Sequence, residues 1–94
     1  MFTIEIAPNN GILLAGRLDV SQTEKAKGVL DKVTDSAIVS FKDLEYISSA
    51  GLGVLFAVQK RLRSSGKGLK LTNMNSHIRD VFRYARFDLV FEIE

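Results

Sequence analysis

A β-branched apolar run at 37–41 (AIVSF), a helix-period run at 50–64 and a short apolar segment at 69–72 (LKLT) follow one another in close order. Strand, helix and strand in that sequence make a β-α-β unit, whose strands lie parallel with a right-handed crossover between them. Nothing else in the chain constrains its fold as much, because a parallel pair needs a covering helix and a shared core. With 94 residues, the chain is expected to form one domain spanning 1–94.

The flanking segments extend the pattern. Residues 2–7 (FTIEIA) alternate apolar and polar, as a half-buried strand does, and 12–16 (ILLAG) read as its return strand. Between them Pro8-Asn9-Asn10-Gly11 is a turn cluster, with Asn-Gly a strong hairpin signal. Ser21-Gln22-Thr23-Glu24 fits a capping box, and the helix behind it places Ala26, Val29, Leu30 and Val33 on one face. Asn73-Met74-Asn75-Ser76 offers N-cap residues for a third helix. There Ile78, Val81, Phe82 and Ala85 fall at i, i+3, i+4 and i+7. Residues 89–93 (LVFEI) read as a last strand. The order β-β-α-β-α-β-α-β predicts an α/β fold: one mixed sheet with packed helices.

Several function classes find no support. The chain has no cysteine, so neither a disulfide nor a thiolate metal site can form. Its one histidine, His77, has no acidic cluster beside it and is expected to be solvated, so no metal site and no cofactor are expected. No base or orienting group can be paired with a serine, so no catalytic residue is assigned and no enzyme is expected. Gly51-Leu52-Gly53 is not a phosphate-cradling loop, since Phe56 stands where a third glycine is needed. The start of the chain lacks a basic n-region, and no window is apolar enough to span a membrane. A cytoplasmic location is therefore expected.

Residues 60–86 hold eight basic residues against the single acid Asp80. Such a stretch could face nucleic acid, an anionic surface or an acidic protein. It has no interleaved aromatics to stack bases, so a solvated face of two helices is the expectation and nucleic acid is not.

The stretch YISSAGLG, residues 46–53, joins a strand to the helix at 50–64. Gly51, Leu52, Leu55, Phe56, Val58 and Leu62 form the broad stripe expected to face the core. The opposite face begins small and apolar, with Ala50, Gly53, Val54 and Ala57, and becomes basic at Lys60 and Arg61. Such a face either admits the backbone of another protein or is covered by the rest of the domain. Ser48 and Ser49 precede it, and only one of them can hold the N-cap. The other hydroxyl points outward at a helix N-terminus, where a phosphate would be tolerated by this chain and would repel a partner approaching the face.

The stretch Phe41 to Leu55, FKDLEYISSAGLGVL, resembles the signature of STAS domains, the fold of bacterial anti-sigma factor antagonists. Gly16-Arg17-Leu18-Asp19 is similar to the segment before the first helix of that family. Gly66 to Leu71 leading into Asn73-Met74-Asn75, and Val81 to Phe87, are similar to its later elements. The resemblance implies a binding module that captures an anti-sigma factor serine kinase when unphosphorylated and is released when that kinase phosphorylates one serine. A PP2C-type phosphatase resets it. Matched to the family pattern Asp-Ser-(Ser/Thr)-Gly-Leu-Gly, Ser49 is the acceptor, Ala50 is the second hydroxyl position and Ser48 stands where the acid usually is. The resemblance also implies that Asp19 lies near the same surface, among the partner contacts Ser48, Ala50, Gly53, Val54, Ala57, Lys60 and Arg61. STAS-like domains also serve as fixed subunits of other assemblies, including lipid-transport ATPase complexes, and that is the alternative.

Overall fold

The computed structural model describes all 94 residues. Phe2–Ile6 (β1) and Gly11–Leu18 (β2) form the opening hairpin, with Ile4 opposite Leu14. The Asn10 amide donates to the Ala7 carbonyl at 3.1 Å and the Ala7 amide to the Gly11 carbonyl at 2.7 Å. Asn10 supplies the left-handed residue at φ 65° that closes this three-residue loop.

Three β-α steps follow. They run through Thr23–Leu30 (α1), Ala37–Ile47 (β3), Ser49–Arg63 (α2), Leu69–Thr72 (β4), Ser76–Tyr84 (α3) and Glu92–Ile93 (β5). The sheet order is β1-β2-β3-β4-β5, antiparallel at the hairpin and parallel from β2 onward. Every parallel step moves in the same direction. Right-handed crossovers therefore put α1, α2 and α3 on one face of the sheet.

Burial follows from that arrangement. Ile12 and Leu14 of β2, Val39 and Phe41 of β3, and Leu69 and Leu71 of β4 face the helices and are buried. They meet Ala26 and Leu30 of α1, Leu55, Val58 and Leu62 of α2, and Ile78 and Phe82 of α3. The alternate strand residues point away from this core, and Leu13 and Ile38 are exposed.

The predicted order of strands and helices is observed, with shifts that have local causes. Strand β3 continues past the apolar run 37–41 through Lys42-Asp43-Leu44-Glu45, because β2 accompanies it as far as Leu18 opposite Ile47. Ser21 does not cap a helix. Asp19 takes that role for a 3-10 turn at Val20–Gln22, accepting the Ser21 amide, and α1 begins only at Thr23. It stops at Leu30, and Val33 reaches the core from the turn beyond. The last strand is shorter than 89–93, because a 3-10 turn occupies Phe87–Leu89 and leaves two residues to pair with β4.

Two further differences bear on function. Phe56, expected in the core stripe, is 38% exposed, and Gln59 is buried in that stripe instead. The Gln59 side chain accepts the Leu69 amide at 2.7 Å and donates to the Val90 carbonyl at 2.9 Å, so both of its polar ends are used. Three of the eight cations of the basic stretch 60–86 are paired with acids. Lys67 pairs with Asp35, Lys70 with Glu92 and Glu94, and Arg83 with Asp80. Arg79 donates to the Glu94 carbonyl at 3.0 Å.

Candidate functional site

The site forms where β2 and β3 end side by side. The Ser48 amide donates to the Leu18 carbonyl at 2.9 Å, extending the β2–β3 ladder by one bond. Asp19 and Ser49 are the next residues of the two chains, so the acid before α1 and the serine opening α2 leave adjacent strand ends. Carboxyl ends of parallel strands are where α/β sheets present their sites.

The two serines separate cleanly. Ser48 is extended, at φ −87° and ψ 167°, and its Oγ accepts the Gly51 amide at 3.1 Å. Its carbonyl accepts the Leu52 amide at 2.9 Å, and the residue is buried. Ser48 is therefore the N-cap. Ser49 is the first residue of α2 and is exposed, and its hydroxyl makes no hydrogen bond within the chain. The Ser49 and Ala50 amides likewise find no acceptor in the chain.

Two glycines behind this junction do different work. A Cβ on Gly51 would stand 2.8 Å from Leu18 Cγ and 3.0 Å from Ile47 Cγ1. Gly51 is thus what lets α2 settle against the strand ends. A Cβ on Gly53 would meet nothing within 4 Å. Gly53 has no packing reason inside this chain, although it weakens the helix it sits in.

Ala50, Gly53, Val54 and Ala57 line a groove of about 400 Å³ between α1 and α2. Its far wall is Lys27 and Asp31 of α1, paired at 2.9 Å. Arg61 closes one end, but not as a free cation. Its guanidinium donates to the Val33 carbonyl at 2.8 Å and the Leu30 carbonyl at 3.0 Å, capping the end of α1. Lys60 is exposed and unpaired.

Asp19 is half-buried at the other margin. It accepts the Ser21 hydroxyl at 2.6 Å and the Ser21 amide at 3.1 Å, and the hydroxyl bond above all holds its carboxyl below the usual carboxylate value. One neighbour escaped sequence reasoning. The Arg17 guanidinium lies 4.5 Å above the Tyr46 ring, on paired residues one step before Leu18 and Ile47. Only the register of two distant strands creates that contact, so no local signal announces it.

The site therefore offers a free hydroxyl at a helix N-terminus, a fixed acid nearby and a small apolar groove. It offers no group of side chains that could hold a metal ion. The profile of the family described as Mlab, STAS domain matches residues 3–92.

The chain belongs to the STAS-domain family.

A relative narrows this further. The STAS chain is 33% identical over 88 residues to BtrV of Bordetella bronchiseptica, by name an anti-sigma factor antagonist. The match covers 94% of this chain and 75% of BtrV, which places the STAS chain in the anti-sigma factor antagonist family. Such proteins bind and regulate and are not enzymes. The fold agrees with two solved structures. The crystal structure of TM1081 from Thermotoga maritima superposes with a TM-score of 0.80 at 23% identity, over 98% of this chain and 84% of that one. The phosphorylated form of SpoIIAA, a Bacillus cell fate determinant, superposes with a TM-score of 0.71 at 20% identity, over 100% and 91%. No helix of the STAS chain is long and apolar enough to cross a membrane.

Proposed function

We propose that this STAS chain, acting as one domain over 1–94, is an anti-sigma factor antagonist switched by phosphorylation of Ser49. Unphosphorylated, it binds an anti-sigma factor serine kinase through the exposed start of α2. Ala50, Gly53, Val54, Ala57 and Lys60 form the contact, with Asp19 and the engaged Arg61 at its margins; Ser48, expected among the contacts, is buried beneath them because its hydroxyl caps α2. Phosphorylation of Ser49 by that kinase releases the partner, and a PP2C-type phosphatase restores binding. A cytoplasmic location follows, because that is where a sigma factor works.

The observation that carries this reading is the division of labour between the serines. Ser48 is buried in the cap, while Ser49 stands exposed with an unengaged hydroxyl beside the groove. A phosphate there would carry a charge of about −1.5 to −2 near neutral pH. The free amides of the first turn could donate to it without loss to the fold. A partner closing over Gly53 and Ala57 would have to desolvate that charge. The kinase and phosphatase themselves are inferred from the relatives named as anti-sigma factor antagonists and from the structure solved in a phosphorylated form.

A second reading keeps the surface and drops the switch. Ser48 stands where the family usually carries an acid next to the acceptor, and the matching profile is described as Mlab. On that reading the chain is a fixed subunit of another assembly, such as a lipid-transport ATPase complex. Incubation with the host's anti-sigma serine kinase and ATP, followed by phosphopeptide mapping, separates the two. Phosphate at Ser49, absent from the Ser49→Ala protein, is the expected result. An unmodified Ser49 favours the fixed subunit.

A further inference from the structure

The exposed side of α2 carries more than the small residues beside the groove. Ser49, Gly53, Phe56, Lys60 and Arg63 succeed one another at i, i+4, i+7, i+11 and i+14, so they form one column along the helix. It runs from the free serine to the helix C-terminus.

Phe56 is the large apolar residue of this column, and it is held rather than loose. Its ring stacks on Phe87 with centroids 5.4 Å apart and planes 14° from parallel. Phe87 in turn meets the buried rings of Phe82 and Phe91 edge-on, at 6.3 and 6.0 Å. An aromatic chain thus runs from the core to the surface and ends in an exposed face. Stacked aromatic pairs contribute beyond their buried area and fix the orientation of both rings. A rigid exposed ring costs little entropy when a partner covers it, which is why such residues dominate binding surfaces.

The lower end of the column is positive. Most cations of the 60–86 stretch are tied up within the chain, as are both arms of Arg61. The Lys60 and Arg63 side chains enter no ion pair and no hydrogen bond, and both residues are exposed. A face with a small end, an aromatic centre and two free cations is complementary to an acidic segment carrying an apolar anchor.

We infer that the column is the specificity surface for the anti-sigma partner: Phe56, seated on Phe87, receives an aliphatic or aromatic anchor, and Lys60 and Arg63 receive acidic residues that flank it. This rests on the functional reading above and extends it to the chemistry of the partner's segment. It also gives Phe56 a role that its exposure otherwise leaves without a purpose. The switch at Ser49 and the anchor at Phe56 lie on one column, so a single docked segment covers both.

The test uses the purified anti-sigma serine kinase of the same host and surface plasmon resonance at two salt concentrations. Phe56→Ala is expected to weaken binding at least about 30-fold, the size of a hot-spot truncation, mainly through faster dissociation. The double variant Lys60→Glu with Arg63→Glu changes only exposed groups and keeps the test valid if Phe56→Ala unfolds. It is expected to slow association about tenfold at low salt and to remove most of the salt dependence. Wild-type affinity in the charge-reversed protein, or in a folded Phe56→Ala protein, overturns the inference while leaving the Ser49 switch standing. A wild-type protein that the kinase neither binds nor phosphorylates overturns the functional reading and this surface with it. A homodimer in sedimentation that Phe56→Ala dissolves would assign the column to a second copy and overturn the inference as well.

Discussion

The Ser48 hydroxyl accepts the Gly51 amide at 3.1 Å, and this one bond divides two adjacent serines into a structural residue and a free one. Replacing Ser48 by Ala removes an N-cap that is also buried, so a loss of about 1 kcal/mol is expected. Ser49→Ala removes a hydroxyl without a partner, so its stability should stay within about 0.5 kcal/mol of wild type. Urea unfolding of both variants checks the contrast. Equal losses would mean that the serines share the cap.

Gly51 and Gly53 make a second matched pair. Gly51→Ala forces a methyl against Leu18 and Ile47, and overpacking of that kind costs about 1–3 kcal/mol. Gly53→Ala adds a methyl in open space and should stabilise α2 by up to about 1 kcal/mol. The same change roughens the docking face, so the protein should become more stable and bind its partner more weakly. Thermal unfolding and calorimetric titration of one preparation give both numbers. A stabilised Gly53→Ala protein that binds as wild type would show that the partner does not approach that backbone.

Gln59 links the start of β4 to the segment before β5. Gln59→Leu matches the apolar surroundings but strands the Leu69 amide and the Val90 carbonyl. Leaving buried backbone groups unpaired costs about 1–3 kcal/mol each. A loss of at least about 2 kcal/mol in urea unfolding is expected from these magnitudes. A near-neutral result would mean that water replaces the side chain at both groups.

Asp19 supplies a pH signature. Its carboxyl titrates below the ordinary 3.8, first because of the Ser21 hydroxyl bond. A carboxyl depressed in the folded state contributes stability above its unfolded value, and that contribution is lost as pH falls through the lower folded value. The effect is therefore confined to acid, setting in as pH approaches 3.8 from above, and leaves neutral behaviour unchanged. In a carboxyl-detected NMR titration, Ser21→Ala should move the Asp19 midpoint upward. An unmoved midpoint would show that the hydroxyl is not the cause.

What was legible in the sequence follows the range of the interactions. The third helix was readable because Asn75 caps it through the Ile78 amide and because Ile78 and Phe82 fall one turn apart on a buried face. Strand β4 was readable as a short apolar segment, and the exposure of Ala50, Gly53 and Ala57 on α2 from helical spacing alone. The failures are non-local. Phe56 lies at the edge of the apolar stripe, on the column of Ser49, Gly53 and Lys60, and the ring of Phe87, 31 positions onward in the chain, is what holds it there. Arg61 looked like a free cation until α1 brought the Leu30 and Val33 carbonyls to it. The resemblance had already set Ser49 apart from Ser48, and the Leu18 carbonyl supplies the physical reason by holding Ser48 in the extended conformation of a cap.

The most direct measurement is the affinity of the host's anti-sigma factor kinase for this chain before and after stoichiometric phosphorylation of Ser49, by calorimetry at one salt concentration. The account predicts tight binding of the unmodified protein and a loss of at least about 100-fold, or about 2.7 kcal/mol, on phosphorylation. Ser49→Asp should reproduce part of that loss while remaining folded. Equal affinity of the two forms would contradict the switch and leave a fixed binding subunit in its place.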